Sequence, residues 1–264
     1  MKVYIVGSNG KCQYAQMYKD DGWEVVNSVP EANLVQFTGG EDVTPDLYGC
    51  GAHPRTMNSM ARDEEEQVIF AECRERGIPM VGICRGGQFL NVMCGGRMYQ
   101  HVNGHATGRT HKVQDTITGY ECDVTSTHHQ MMIPNKYEGT VLGRVNPSLC
   151  EFKDYVDDEG KIFTVEPEEE HEDVEVVSYP YQRVLCFQPH PEYEEGKACR
   201  GWFFGLVMGQ LFEDWDRYNA ETKGQKKAKI RDHGVDVRLF DIEALGHALI
   251  IDDLEGELEE EEDW

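Results

Sequence analysis

Four short apolar runs punctuate the first third of the chain: KVYIV (Lys2 to Val6), WEVVN (Trp23 to Asn27), NLVQF (Asn33 to Phe37) and IPMVGI (Ile78 to Ile83). Each has the length of a buried strand, and helical stretches separate them. Between the third and fourth, Arg62 to Arg76 sets Ile69 and Cys73 four residues apart among charged positions, the spacing of an amphipathic helix. Gly77 and Pro79 supply its stop. Such alternation predicts an α/β domain with a mostly parallel central sheet flanked by helices. The second half changes character. Glu121 to Thr125, Gly139 to Val145, Lys161 to Val165, Val174 to Tyr179 and Arg183 to Phe187 predict strands joined by turns, hence an antiparallel portion. A helix over about Lys197 to Trp215 follows, and no internal repeat is present.

Composition narrows the picture. The 264 residues hold 25 basic and 49 acidic side chains, a net charge of −24, with 39% hydrophobic residues, enough for a real core. That negative charge repels phosphate backbones and anionic membrane surfaces, so neither nucleic acid nor membrane is an expected partner. No apolar run nears the roughly 20 residues of a bilayer span, and the start reads as a strand and not as a secretion signal. A cytoplasmic protein is expected. The nine cysteines are odd in number and lack C-x-x-C spacing, which argues against a disulfide framework or a cysteine-rich zinc site. Residues 1–215 are read as one domain. Residues 216–264 are read as a charged C-terminal extension with a basic block, Lys223 to Arg231, and an expected mobile acidic end.

One cysteine stands apart. In IPMVGICRGGQFLNV a buried strand runs through Gly82-Ile83-Cys84-Arg85-Gly86 into a helical segment, a nucleophile elbow with cysteine in place of serine. The glycines leave room where a tight strand-to-helix turn crowds neighbouring backbone, and the helix N-terminus favours a thiolate. A cysteine nucleophile needs a base and the base an orienting group. RVLCFQPHPEY offers both: His190 between Pro189 and Pro191, with Glu192 two residues on, on the same face of an extended segment.

On these residues the chain resembles the class I glutamine amidotransferases, most closely the γ-glutamyl hydrolase branch that includes the γ-glutamyl-γ-aminobutyrate hydrolases. FTGGEDVTPDLYG, ARDEEE, GICRGGQFLNVMCGGRMYQ, STHHQ and FQPHPE carry the resemblance, which covers roughly Met1 to Leu211. It implies a flavodoxin-like sheet and thioester chemistry on a γ-glutamyl amide, with Cys84 as nucleophile, His190 as base and Glu192 as orienter. It also implies an oxyanion-hole N–H from the Gly39-Gly40 turn, joined by that of Arg85. Departures are Pro189 before the histidine, where the family has a bulky residue, the acidic stretch Asp154 to Asp173, and the last fifty residues.

Magnitudes rank these features. Lowering a thiol pKa from about 8.5 to about 6 raises the thiolate fraction at pH 7 roughly 30-fold, but nucleophilicity falls roughly 13-fold with it. One oxyanion donor is typically worth about 2.7 to 4 kcal/mol, so turn geometry outweighs thiol tuning. His190 still matters, because the departing amine must receive a proton.

Other positions keep two readings. His128, His129 and Gln130 are placed near the substrate by the resemblance, or form a turn with exposed imidazoles. Gln88, one helical turn after Cys84, faces the same pocket or lies on a surface helix. Arg62 and Asp63 begin a helix and are followed by Glu64 to Glu66, which satisfies a first-turn preference for acids, or the Arg62-Asp63 pair shapes the pocket wall. His101, His105 and His111 match no zinc spacing and no cysteine or carboxylate completes a set, so neither a metal nor another cofactor is expected. The leading function is hydrolysis of a small γ-glutamyl substrate. Alternatives are a glutaminase subunit feeding ammonia to a separate synthetase partner, or a catalytically silent binding protein; the oligomeric state is open.

Overall fold

The computed structural model describes residues 1–7, 11–166 and 172–213. The end of the helix predicted to Trp215, the extension 216–264 with its basic block and acidic end, and residues 167–171 of the acidic stretch lie outside the described residues.

The first half runs β1 (Lys2–Ile5), α1 (Lys11–Asp20), β2 (Glu24–Val26), β3 (Leu34–Phe37), α2 (Met60–Arg76), β4 (Met80–Ile83) and α3 (Arg85–Met93). Next come β5 (Arg97–Tyr99), β6 (His101–Val102), β7 (Thr110–Asp115), β8 (Glu121–Thr125), β9 (Met131–Ile133) and β10 (Thr140–Val145). The chain continues through β11 (Lys153–Val156), β12 (Ile162–Val165), β13 (Asp173–Tyr179), β14 (Val184–Phe187) and α4 (Arg200–Met208). The predicted amphipathic helix is α2. It ends where Gly77 adopts φ +67° and the Ile78 N–H returns to the Cys73 carbonyl, a glycine-dependent stop.

Nine strands form the main sheet in the order β2-β1-β3-β4-β14-β13-β10-β7-β8. Pairing is parallel from β2 through β14 and antiparallel from β14 through β8. The α/β class is as expected, and the antiparallel portion is wider than periodicity suggests. β7 is the reason: in THKVQD only Val113 and Asp115 are buried, so no apolar alternation marks it. Small sheets β12-β11-β6 and β5-β9 complete the second half.

β3, β4 and β14 are buried along their whole length, because helices cover both faces of the parallel half. On one face Tyr14, Met17 and Tyr18 of α1 pack with Phe203, Phe204 and Val207 of α4; on the other, Phe70 and Cys73 of α2 pack with Phe89 and Leu90 of α3. The C-terminal ends of β3, β4 and β14 therefore open together at one edge, the place where open α/β sheets build their sites. No helix among the described residues is long and apolar enough to cross a membrane.

Phe203 links α4 to β14, meeting Phe187 edge-on at 5.2 Å between ring centroids. Phe203→Ala is expected to cost about 3–5 kcal/mol of stability, read from denaturant unfolding, since the fully buried ring leaves a cavity behind.

Candidate active site

Cys84 is the single residue between β4 and α3, with φ 52° and ψ −118°, a conformation an L-residue adopts only when its surroundings impose it. The imposition is visible. Its N–H donates to the Phe187 carbonyl at 2.8 Å and its carbonyl accepts from Gln88 N at 3.0 Å. A side-chain carbon at Gly82 would collide with the Gly86 carbonyl, and one at Gly86 with the Phe37 carbonyl. Here the glycines allow backbone to touch backbone across the turn, and Cys84 is left 9% exposed at its top.

His190 follows β14, and its N–H donates to Thr125 Oγ1 at the end of β8 at 2.7 Å. The ring stacks on Tyr193, 4.3 Å between centroids and 4° from parallel. Nδ1 meets Glu192 Oε1 at 2.6 Å, so Nδ1 carries a proton for the carboxylate and Nε2 is left free to serve Cys84. Burial opposes charge on this imidazole, but its interactions with Cys84 and Glu192 outweigh that and hold the His190 pKa well above its ordinary value.

The third wall is the turn after β3. A side-chain carbon at Gly39 would lie 3.0 Å from His190 Cε1 and 3.6 Å from Cys84 Cβ, which places this turn directly over the pair. The Gly39 N–H donates to the Tyr14 hydroxyl at 3.0 Å. That phenol is pushed well up by burial and by the Glu192 carboxylate beside it. Gly40 has φ +144° and no room for a side chain against the Arg62 guanidinium. Among the described residues its N–H has no acceptor, and the same holds for the first-turn N–H of Arg85.

Arg85 also explains the acidic motif on α2. Its side chain, 1% exposed, pairs with both Asp63 and Glu66. Asp63 further accepts from Thr44 N at 3.0 Å and Thr44 Oγ1 at 2.5 Å. Arg62 bonds Glu66 at 2.8 Å, Glu41 at 3.0 Å and the Thr38 carbonyl at 2.8 Å. Asp63 and Glu66 thus do more than favour a helix start: the charges bind α3, α2 and the Gly39-Gly40 turn into one unit.

The remaining candidates divide. Gln88 is buried and donates to the Gln130 carbonyl at 3.3 Å and to Gln188 Oε1 at 3.1 Å, which corrects the surface-helix reading. His128 is buried too, with Nδ1 at 2.9 Å from the Gln130 carbonyl, which corrects the exposed-turn reading for this ring; burial lowers its pKa. The Gln130 amide nitrogen donates to Thr56 Oγ1 at 3.3 Å. These three form a packed support, whereas His129 is one-third exposed, holds Asp42 at 3.2 Å and is raised by that bond. His129, Arg55 and His101 line a cavity of about 420 Å³; Cys84 is not among its lining residues. The premise that no carboxylate joins the other histidines is also corrected. Glu175 and Asp173, more than sixty residues away in sequence, converge on His105, and Glu175 on His111 as well.

Tyr14, Thr125 and Glu175 carry no local motif, and only the tertiary fold brings them to their partners; Tyr193 lies three residues after His190, but nothing in the segment announces its stacking on that ring. Glu66 was legible as part of the acidic run after Arg62, but its partner Arg85 was not.

The fold is that of the glutamine amidotransferases. A GMP synthase component from Thermoplasma acidophilum superposes with a TM-score of 0.54 at 15% identity, over 84% of this chain and 98% of that one, a likeness of fold alone. The chain belongs to the Peptidase C26 family, which it matches over residues 16–192. It is 35% identical over 128 residues to a Mycobacterium tuberculosis protein named as a glutamine amidotransferase, covering 42% of this chain and 41% of that protein. To the Enterococcus hirae protein NtpR it is 38% identical over 132 residues, 46% of this chain and 55% of that one. The matched segments span roughly half the length of these relatives.

Replacing Arg85 by Met tests the buried charge network. With its cation gone, Asp63 loses its ionic partner and Glu66 keeps only Arg62, so a loss of about 3–5 kcal/mol in denaturant unfolding is expected.

Proposed function

We propose that this protein hydrolyses γ-glutamyl amide bonds through a cysteine thioester, with Cys84 as nucleophile, His190 as acid and base, and Glu192 as orienter. The observation that supports it best is the buried His190–Glu192 contact of 2.6 Å on an imidazole that shares the Gly39 turn with Cys84. In the first half-reaction the sulfur attacks the γ-carbonyl carbon. Negative charge develops on the carbonyl oxygen, and the N–H groups of Gly40 and Arg85 are its proposed donors. Collapse breaks the C–N bond as His190 passes its proton to the departing amine. Water then attacks the thioester, giving its proton to His190, and glutamate leaves as the sulfur recovers its proton or charge.

Gly40 is assigned ahead of Gly39 because the Gly39 N–H is engaged by Tyr14. Tyr14 then has a positioning role: it pins the turn so that the next N–H stays free, and it sits against Glu192. Tyr14 and Arg62 of the same chain hold the turn in this form, which supports the reading of a hydrolase that acts alone. The amine side of the substrate is left to assay.

The purified protein, without nucleotide or partner, is expected to release glutamate from at least one member of a panel of glutamine and γ-glutamyl amines. Cys84→Ala should lower kcat by about 10³-fold or more at unchanged Tm. No product from the panel, with Cys84-dependent glutaminase activity appearing only when cell extract is added, would replace this reading by that of a partner-dependent glutaminase subunit.

Tyr14→Phe removes the acceptor for the Gly39 N–H and loosens the turn. Loss of one hydrogen bond of about 1 kcal/mol predicts roughly fivefold lower kcat with little change in KM, measured in steady-state kinetics.

A further inference from the structure

Away from Cys84, a carboxylate with no exposed surface is ringed by imidazoles. Glu175 lies on β13, and its Oε1 stands 3.1 Å from His105 Nδ1, 3.1 Å from His111 Nε2 and 3.3 Å from His128 Nε2. The three rings come from different segments, the loop before β7, β7 itself and the loop after β8, so only the tertiary fold assembles them.

Proton counting makes the cluster unusual. His105 Nε2 faces the Asp173 carboxylate at 2.8 Å and His128 Nδ1 faces the Gln130 carbonyl at 2.9 Å, and both partners can only accept. Each far nitrogen must therefore carry the hydrogen, and in a neutral ring the near nitrogen is a lone pair aimed at a carboxylate. His105 Nδ1, although 3.1 Å from Glu175 Oε1, has no hydrogen bond, and neither has Glu175 Oε2 or His111 Nδ1. Fixing the far nitrogen by a carboxylate or carbonyl is how metal-ligating histidines are oriented. For His105, His111 and Glu175 the spacing is compatible: their ligand atoms all lie within 4.8 Å of one another, and a tetrahedral ion with bonds of about 2.0–2.1 Å separates its ligand atoms by about 3.3 Å.

We propose that His105 Nδ1, His111 Nε2 and Glu175 hold one divalent transition-metal ion of the zinc type, with the His128 ring packed beside the carboxylate. The nearby group of His105, Cys150 and Asp173 is a poorer alternative. Asp173 already accepts from Ser148 Oγ at 2.5 Å and Leu149 N at 2.7 Å, and the Lys153 ammonium at 2.7 Å would repel a cation. Around Glu175 the neighbours are the three imidazoles. Two nitrogens and one oxygen suit zinc, and a water would complete the tetrahedron. The ion would tie β7 and the loop before it to β13.

The test uses full-length protein purified without chelator and without metal-affinity resin. Elemental mass spectrometry is expected to find about one zinc per chain, or about one equivalent taken up when zinc sulfate is added. X-ray absorption at the zinc edge should show nitrogen and oxygen at about 2.0–2.1 Å with imidazole scattering and no sulfur. Glu175→Gln and His111→Ala should each drop the content below about one-tenth, while Cys150→Ser retains it. Should either variant fail to fold, the wild-type absorption spectrum decides alone. Sulfur at about 2.3 Å, retention of metal by a folded Glu175→Gln protein, or no uptake of zinc by the wild type at micromolar concentration would each overturn the proposal. In the last case doubly protonated His105 and His128 would fill the metal's place, a state that ring-nitrogen NMR identifies.

Discussion

Everything at the candidate active site depends on how closely three backbones approach at the turn between β4 and α3. Gly82, Gly86 and Phe37 touch there without intervening side chains, and the Cys84 N–H is fixed to the Phe187 carbonyl. Close contact of this kind holds Cys84 at positive φ, a conformation that costs free energy and persists only because the surroundings over-determine it. The cysteine is thereby presented at the head of α3, beside unpaired N–H groups.

Charge extends this constraint beyond the turn. Arg85 begins α3 and sends its guanidinium into Asp63 and Glu66 of α2, and Arg62 carries the network on to the Thr38 carbonyl and the edge of Gly40. Buried ion pairs seldom add much stability compared with apolar packing, but they demand one geometry. In this protein they relate the helix that begins after Cys84 to the turn that carries a candidate oxyanion donor.

The antiparallel half has a different task. β14 is parallel to β4 on one side and antiparallel to β13 on the other, so it joins the half of the sheet that leads into Cys84 to the half that contains Thr125 and Glu175. His190 sits where they meet, its N–H on Thr125 and its ring on Tyr193. Distortion in the antiparallel half would therefore reach the imidazole through backbone hydrogen bonds, as in the link from Gln188 N to the Glu175 carbonyl.

Local pattern was enough for the parts that local physics determines. The apolar runs of β1, β3 and β4, the glycine stop of α2, and the strand-glycine-cysteine-glycine turn are each encoded within a few neighbouring residues, and so is the pairing of His190 with Glu192 two positions on. The short second-half strands were less legible, because β7 and β6 bury too few residues to leave a periodic trace. What tertiary structure alone decided are the contacts between segments distant in sequence: Tyr14 on Gly39, Arg85 on Asp63 and Glu66, Gln88 on Gln188, and three histidines on Glu175. Such pairs have no fixed spacing, since the order of strands in the sheet, and not separation along the chain, sets which side chains meet.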